Sequence, residues 1–592
     1  MAQNKHIVND PRNLANESLA GLARVNAKIK VDATHRVVYA ANVPQDRVAL
    51  ISGGGSGHEP AHAGFVGDGL LTAAVAGNVF ASPNVAQVRK GLELVNNKKG
   101  TLIVIMRYTG DVLLFGLAKE QSSVTNPDHP VKMTIVGDDV AVGRKQGALV
   151  GRRGLAGTVL VYKCASALAD EGADIDAVYE MSEYVNTRVG TIGVGLEHCH
   201  IPGTAISEAH LKESEIELGM GIHNEAGIEK IKLPTSKELI KRMLGLITDT
   251  SDEDRAYVPF KHDGKDEVVL LVNNLGGISN LEMFSIANDA VEELTKNKIT
   301  VRRVTVGSVM TSLNLPGFSL TCLLLPRQGD KFSPERILQL IDSPASAPGW
   351  TYITTTEPGA APDTKDTTAP KPIKNASSPV APADFALFEK AVSSACNNVV
   401  AAEPEITKFD TIAGDGDCGL CFKAMAEGVL NAFKAGKVDK NDVTSAMVDI
   451  GTVIEKEGDG TSGAIFFLFM TSLAGHISAV AKSQNAKTDT KALWAEAVSR
   501  AFKSLQGYTL ARKPSRTLMD PLEAFVESFS ADQDLDKAVA AAQQATEDTK
   551  KMVAKAGRAT YVNQDDLMKA DIPDPGAMGI TKLLEGLQAA LK

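Results

Sequence analysis

Short, almost wholly apolar runs recur through the first three-fifths of the chain, at residues 48–51, 101–106, 133–136, 268–272 and 319–325. Longer stretches with helical spacing, such as 157–173, separate them. An apolar run with no polar alternation predicts a strand covered on both faces, and its alternation with helices predicts layered α/β architecture. From about residue 354 to 384 the texture breaks into Pro, Ala, Thr and Ser with almost no large apolar anchor, which predicts a linker. Beyond it, Ala-rich segments at 385–398, 422–435, 493–505 and 535–556 carry apolar residues three and four apart, the spacing of helices with one buried stripe. The chain is therefore expected to be multidomain: α/β over 1–353, a linker over 354–384 and an all-helical part over 385–592. No internal repeat is visible.

Composition narrows the class. The 592 residues are 44% apolar and 23% charged, ordinary for a folded protein and too many for one core. Acidic residues outnumber basic ones 72 to 62, for a net charge of −10, and no long Lys/Arg block exists to track a phosphate backbone, so nucleic acid is not an expected partner. Six cysteines and no signal-like stretch before Pro11 lead us to expect a cytoplasmic protein. The apolar stretch 464–481 approaches membrane-spanning length, but Thr471, Ser472, Gly475 and His476 interrupt it, and a helix among helices is expected with no membrane partner. Two metal-like patterns are set aside. Cys418 and Cys421 lack a second pair, and His198-Cys199-His200 would point its neighbours to opposite faces of an extended segment.

Five segments carry candidate chemistry. The strand at 48–51 runs into Ser52-Gly53-Gly54-Gly55-Ser56-Gly57-His58-Glu59-Pro60, a glycine loop at the carboxyl end of a strand, where ligands of open α/β sheets bind. Backbone N–H groups near Gly55 could approach a ligand closely, with His58 at the rim; a plain tight turn is the competing reading. The strand at 101–106 leads to Asp111, either a general base or the cap of a helix starting near Val112. In Glu217-Leu218-Gly219-Met220-Gly221-Ile222-His223-Asn224-Glu225 two glycines precede a histidine, a residue that on its own is most often structural. Asp410, Asp415 and Asp417 fall within eight positions on a glycine-rich turn. Such crowding asks for a cation, and oxygen-only ligands suit magnesium or calcium; a solvated acidic loop is the alternative. Last, Gly458-Asp459-Gly460-Thr461-Ser462-Gly463 opens an apolar helix without a Walker lysine, either as a phosphate cradle or through plain capping by Thr461 or Ser462.

These segments occur together with Val136-Gly137-Asp138-Asp139-Val140, Gly151-Arg152-Arg153-Gly154-Leu155-Ala156-Gly157-Thr158 and Asn273-Asn274-Leu275-Gly276-Gly277 in the first part. In the second they occur with residues 512–520, 557–562 and 574–577. In that order, across almost the whole chain, they resemble the single-chain dihydroxyacetone kinase family. The resemblance implies an N-terminal portion of two α/β subdomains, a C-terminal all-α helical barrel, a small ketose or aldose substrate, ATP with Mg2+, and a homodimer. It implies that a ring nitrogen of His223 adds to the substrate carbonyl as a hemiaminal, a bond glycerol cannot form. It further implies that His58 and Asp111 activate the terminal hydroxyl, and that Gly55, Ser56, Gly57, His58, Asp111 and the position of Met106 contact the sugar. Asp410, Asp415 and Asp417 would hold magnesium, while Gly460, Thr461, Ser462, Cys418, Gly419, Arg516, Asp574, Pro575 and Gly576 would surround the nucleotide.

The chain departs from the family pattern at several of these places. Met106-Arg107 stands where Lys-Asn is usual, and methionine has no hydrogen to donate to the substrate, a loss of about 1–3 kcal/mol. Asp459 replaces a glycine, Lys513-Pro514-Ser515 replaces Pro-Gly-Asp, and Leu420 and Cys421 replace a Thr-Thr pair. Two alternatives stay open at this point: a lyase that cyclises the ribonucleotide part of FAD with manganese or cobalt, and a ketone-binding sensor that has lost efficient phosphoryl transfer.

Overall fold

The apolar runs are strands. β1 (Ile29–Asp32), β2 (Val37–Ala40), β3 (Ala49–Ser56), β4 (Ala73–Val79), β5 (Thr101–Met106) and β6 (Val131–Val136) form one sheet in the order β1-β2-β4-β3-β5-β6, with β4, β3, β5 and β6 parallel. β7 (Val189–Gly195), β8 (Glu215–Leu218), β9 (Glu229–Lys232), β10 (Glu267–Asn274), β11 (Thr300–Gly307) and β12 (Gly317–Leu324) form a second, in the order β11-β10-β12-β7-β8-β9. There only β10 and β11 run parallel. This computed structural model describes residues 4–205, 208–350, 356–359, 379–458 and 460–592; most of the expected linker, and Asp459, lie outside them.

Period-two alternation explains why these strands show no polar face. Ala49, Ile51, Ile103 and Ile105 pack with Val88, Leu92 and Phe115 of two covering helices, Val85–Leu94 and Thr109–Thr125. Leu50, Leu102, Val104 and Met106 point the other way and share a core with the helix Gly157–Asp170. That core also takes Val269, Leu271 and Leu323 from the second sheet. A helix packed between two sheets has no wet side, and Gly157–Ala167 is buried without a break. The opposite face of the second sheet is covered by the helices Ser236–Thr248 and Asn280–Lys296.

One sequence expectation changes here. The glycines of residues 53–55 are not a loop after a strand but the strand itself, since β3 runs through to Ser56 and the first left-handed residue is Gly57, at φ +103°. The glycines are needed for close approach. A Cβ on Gly53 would lie 2.4 Å from the Val75 carbonyl oxygen, and one on Gly55 would lie 2.8 Å from the Ala81 nitrogen.

Contacts divide the chain into two units, Met1–Pro362 and Asp363–Lys592. The second is helical, with no strand among its described residues. Its long helices are Phe385–Ala413, Cys418–Lys434, Val443–Glu457, Gly460–Gln484, Lys491–Leu505, Met519–Asp532, Leu535–Asp548 and Pro575–Leu591. Each packs on the next, and the last returns to the first, closing a barrel. Inside is an apolar cavity of about 140 Å³ lined by residues such as Phe466, Phe469, Leu522 and Phe525. It accounts for the apolar stretch at 464–481. Apart from Gly463, the buried residues of Gly460–Gln484 fall in its C-terminal half, and Ile465, Phe466, Phe469 and Met470 line the cavity. By length and composition this helix is apolar enough to cross a membrane.

Candidate active site

In the first unit the carboxyl ends of β3 and β5 meet loops from the second sheet. β3 ends in a turn whose backbone is tied across: Leu313 N–H donates to the Gly57 carbonyl at 2.7 Å and Thr311 N–H to the His58 carbonyl at 3.1 Å. This fixes His58, which is fully buried and whose Nδ1 lies 2.8 Å from the Thr311 carbonyl oxygen. His223 arrives on the turn after β8. Asn224, in the left-handed region at φ +62°, clips that turn to Cys199 by two hydrogen bonds of 2.9 and 3.0 Å. The family-like motifs at Asp139 and Arg153 support the same loop, since Arg153 pairs with Asp139 at 2.7 Å and donates to the Gly219 carbonyl at 2.8 Å.

The two imidazoles meet edge to face, with Nε2 of His58 3.0 Å from Nε2 of His223. On its far side Nδ1 of His223 is 2.8 Å from Glu225 Oε1, and the His223 N–H donates to Glu225 Oε2 at 2.8 Å. Burial pushes the Glu225 carboxyl up, but the bonds from His223 outweigh it and bring it down to about 2, so it is ionised. Each Nδ1 therefore faces an oxygen that can only accept, and each carries its hydrogen. Two bare Nε2 lone pairs would repel at 3.0 Å, so the pair holds one further proton between them, balanced by Glu225. Burial and the neighbouring His223 hold His58 down to about 3, so the His58 ring is a weaker base than a free imidazole. The His223 side chain keeps 21% exposure and is packed by the edges of Phe80 and Tyr108.

The helix bearing Asp111 starts at Thr109, not near Val112, so Asp111 is not a cap but lies inside the first turn. Burial raises its carboxyl to about 6, against the Ser82 hydroxyl and His223, which pull it down. It faces Gly54: a Cβ there would sit 3.9 Å from Asp111 Oδ2, 3.9 Å from His62 Nε2 and 3.8 Å from Met106 Cε. The pleat decides this. Gly54 opens onto the polar hollow, while its neighbour Gly55 packs on the Phe80–Ala81 backbone, Ser56 Oγ is spent on the Gly77 carbonyl at 2.8 Å, and the Gly57 N–H on Glu59 at 2.9 Å. Arg107 runs along Gly137 and Gly151, so it does not bring charge to the place of Met106. Sequence reasoning missed Gly54, His62 and Glu225 as site residues. The signals were present but weak: a second histidine four positions after His58, and an acid two positions after His223.

In the helical unit, oxygens of Asp410, Asp415 and Asp417 lie within 4.8 Å of one another. Asp410 is buried in the last turn of its helix and accepts the Cys418 N–H at 3.0 Å; Asp415 and Asp417 are exposed. Gly416, at φ +84°, makes the turn between them. Arg558 pairs with Asp415 at 3.0 Å, leaving more negative than positive charge in the cluster. The Cys418 thiol is pushed up by burial, then by Asp410 and Asp574, with the Ser462 hydroxyl acting the other way. Asp574 caps the helix Pro575–Leu591 through the Ala577 N–H at 2.9 Å, and burial raises its carboxyl to about 7. Thr461 and Ser462 fall inside the first turn of Gly460–Gln484, with Gly460 and Thr461 exposed. Gly419, Pro575 and Gly576 are buried. Arg516 is 1% exposed, donating to the Ile572 carbonyl at 3.1 Å, with Asp574 at 3.9 Å. Ser515 closes its own turn, accepting from Arg512 N–H at 3.0 Å and donating its backbone N–H to Asp520 at 3.0 Å. Of the two set-aside patterns, Cys418 sits against the carboxylate cluster and Cys199 is tied to the His223 turn. His198 stacks on His210, His200 meets His6, and the Cys199 thiol accepts from Ser312.

Residues 20–349 match the Dak1 domain and residues 412–589 match the DAK2 domain. The chain belongs to the dihydroxyacetone kinase family. It is 41% identical to dihydroxyacetone kinase of Pichia angusta, over 98% of both chains, and 36% identical to triokinase/FMN cyclase of Homo sapiens, over 99% of both. Its structure matches the dihydroxyacetone kinase from C. freundii in complex with AMP-PNP and Mg2+, with a TM-score of 0.62, 27% identity and 99% of each chain covered. The α/β portion followed by an all-helical portion is the architecture expected from the sequence.

Proposed function

We propose that this kinase holds dihydroxyacetone as a hemiaminal on His223 and transfers the γ-phosphate of ATP to its terminal hydroxyl. The chain is an ATP-dependent kinase of dihydroxyacetone: its relatives of that activity match it from end to end. The observation that carries the covalent reading is the Nε2···Nε2 contact of 3.0 Å between His58 and His223. The shared proton moves from His223 to His58, and the freed Nε2 lone pair bonds to the carbonyl carbon. The carbonyl π pair goes to oxygen, which takes the proton back from His58. The product is a neutral hemiaminal hydroxyl on a ring that stays cationic, with its Nδ1–H held by ionised Glu225. Charge is the same before and after. Asp111, near neutrality, then accepts the proton of the attacking hydroxyl as the new P–O bond forms and ADP leaves.

Asp410, Asp415 and Asp417 suit magnesium, being hard oxygen donors in close array with incomplete counter-charge. Magnesium bound there neutralises charge on the nucleotide phosphates. Ser462, whose hydroxyl acts on the Cys418 thiol, and the backbone of the Gly460–Gln484 N-terminus would bind phosphate oxygens. The sensor reading has no use for such a cluster. The FAD-cyclising reading rests on the name of the human relative and needs only the helical unit.

A direct test compares dihydroxyacetone and glycerol with ATP and Mg2+, then FAD with Mn2+, in the wild type and in His223→Ala. The wild type should phosphorylate the ketone in strong preference to glycerol, and His223→Ala should lose that preference or all activity. Unchanged selectivity in His223→Ala would refute the hemiaminal.

A further inference from the structure

His62 lies four residues beyond His58 and is 4% exposed, and its Nε2 is buried with no hydrogen-bond partner. Asp111, whose Oδ2 lines the same hollow above Gly54, has its other oxygen, Oδ1, orphaned in the same way. Buried polar atoms in folded proteins are nearly always paired, so two residues with such atoms beside one hollow point to a polar ligand. The third wall is the Met106 methyl, which can neither donate nor accept.

The chemistry of that ligand can be read from the far side of the ring. His62 Nδ1 is 3.0 Å from Ser52 Oγ. Ser52 is fully buried, and among the described residues its hydroxyl has no other acceptor, so it donates to Nδ1. The hydrogen of the imidazole must then be on Nε2, facing the hollow. Burial lowers the ring to about 4, so it is neutral at physiological pH and offers a single donor there. Opposite stands a carboxylate that accepts. A group fitting between a donor and an acceptor must accept one hydrogen bond and give another, as a hydroxyl does; a carbonyl cannot give one and an ammonium cannot accept one.

We propose that His62 Nε2–H donates to a terminal hydroxyl of the ketose, which in turn donates to Asp111, so that His62 provides the donor missing at Met106. The proposal rests on the reading of this unit as the ketone site. It makes His62 a substrate contact that selects for a hydroxymethyl group beside the carbonyl.

The test measures the dissociation constant of dihydroxyacetone on the full chain without ATP. Carbonyl-labelled ketone is titrated and the carbon signal followed from the carbonyl to the tetrahedral region. His62→Leu should weaken binding about tenfold or more, the loss of one buried hydrogen bond. His62→Gln, whose amide nitrogen falls where Nε2 was, should stay within about threefold of wild type, and Met106→Lys added to His62→Leu should recover most of the loss. Unaltered affinity in His62→Leu overturns the proposal. So does a His62→Gln as weak as His62→Leu that Met106→Lys cannot repair, since His62 would then only pack. If His62→Leu does not fold, His62→Gln is compared with His62→Asn, whose amide falls at Nδ1; equal affinities overturn the proposal. A wild type that forms no tetrahedral carbon removes the ketone-site reading and the proposal together, whereas a wild-type adduct with normal titration of His62→Leu removes the proposal alone.

Discussion

His58 and His223 come together nitrogen to nitrogen at 3.0 Å while the opposite nitrogen of each is held by a fixed acceptor, Thr311 for one and Glu225 for the other. In the proposed reaction the pair is a proton carrier poised beside its own nucleophile. One ring must release a proton before it can attack, and the other is placed to return that proton to the oxygen the attack creates.

Glu225 should matter as much as either ring. Its carboxylate keeps Nδ1–H on His223 and offsets the cationic ring of the adduct. Glu225→Gln keeps the shape and removes the charge. We expect the hemiaminal fraction to fall and kcat/KM for dihydroxyacetone to drop about tenfold to a hundredfold, as for loss of a charge-assisted hydrogen bond worth roughly 1.5–3 kcal/mol. The carbon signal of labelled ketone checks the first and steady-state kinetics the second. An unchanged adduct population would show that Glu225 only shapes the loop.

Asp111 should leave opposite marks on activity and stability. Its carboxyl is raised to about 6 from an ordinary value of 3.8, so the folded protein binds that proton more tightly than the unfolded chain. The stabilisation this gives is complete below pH 3.8 and is lost as pH rises through 6. Above pH 6 the buried charge costs on the order of 2–3 kcal/mol. Catalysis needs the ionised form, so kcat/KM should rise with pH to a plateau above about 6. Asp111→Asn should lose about a hundredfold or more in rate. It should also melt higher than the wild type at pH 8 and lose that advantage as pH falls toward 4. A melting difference independent of pH would contradict the desolvation argument.

Much of this was legible in the sequence because the strands have no wet side: a run such as residues 101–106 can only be a covered strand. The histidines and carboxylates were visible as residue types but not as contacts. Whether Gly54 or Gly55 opens to the ligand depends on the pleat and on where β4 packs, which the run of glycines conceals. Asp111 was ambiguous between base and cap because a helix start is blurred by a turn, and here the helix begins two residues before it. His62 carried no signal beyond its type and its spacing from His58, since its meaning lies in the Ser52 hydroxyl on one side and Asp111 on the other. Arg516, placed around the nucleotide by the resemblance, is sealed, which its residue type does not reveal.

Gly54 gives a clean separation of fold from binding. The groups nearest an added Cβ stand at 3.8–3.9 Å, ordinary contact distances. Gly54→Ala should therefore fold with a melting temperature within a few degrees of wild type. The new methyl would fill the hollow between His62, Asp111 and Met106, and dihydroxyacetone affinity should fall about tenfold or more, by the cost of overpacking a tight site, ~1–3 kcal/mol. Gly53→Ala is the contrast, because its Cβ would strike the Val75 carbonyl oxygen at 2.4 Å and the fold itself should suffer. A Gly54→Ala protein that binds the ketone normally would move the substrate elsewhere.

The carboxylate cluster makes a prediction that depends on Arg558. This residue pairs with Asp415 at 3.0 Å, but both side chains are well exposed, so the contact is worth ~0–1 kcal/mol and yields readily to a divalent cation. Asp415→Ala should therefore fold normally and lose at least tenfold in affinity for ATP with Mg2+, and its residual ATP binding should be insensitive to EDTA. Arg558→Ala, by leaving the three acids without their counter-charge, should raise affinity for Mg2+ alone. Asp410→Asn should behave differently from Asp415→Ala, because its buried carboxylate also accepts the Cys418 N–H and helps shape the turn. Melting temperature and metal affinity should fall together there. Calorimetry of the three variants with ATP, with and without Mg2+, decides the matter: undiminished, EDTA-sensitive binding in Asp415→Ala would mean the cation sits on other ligands.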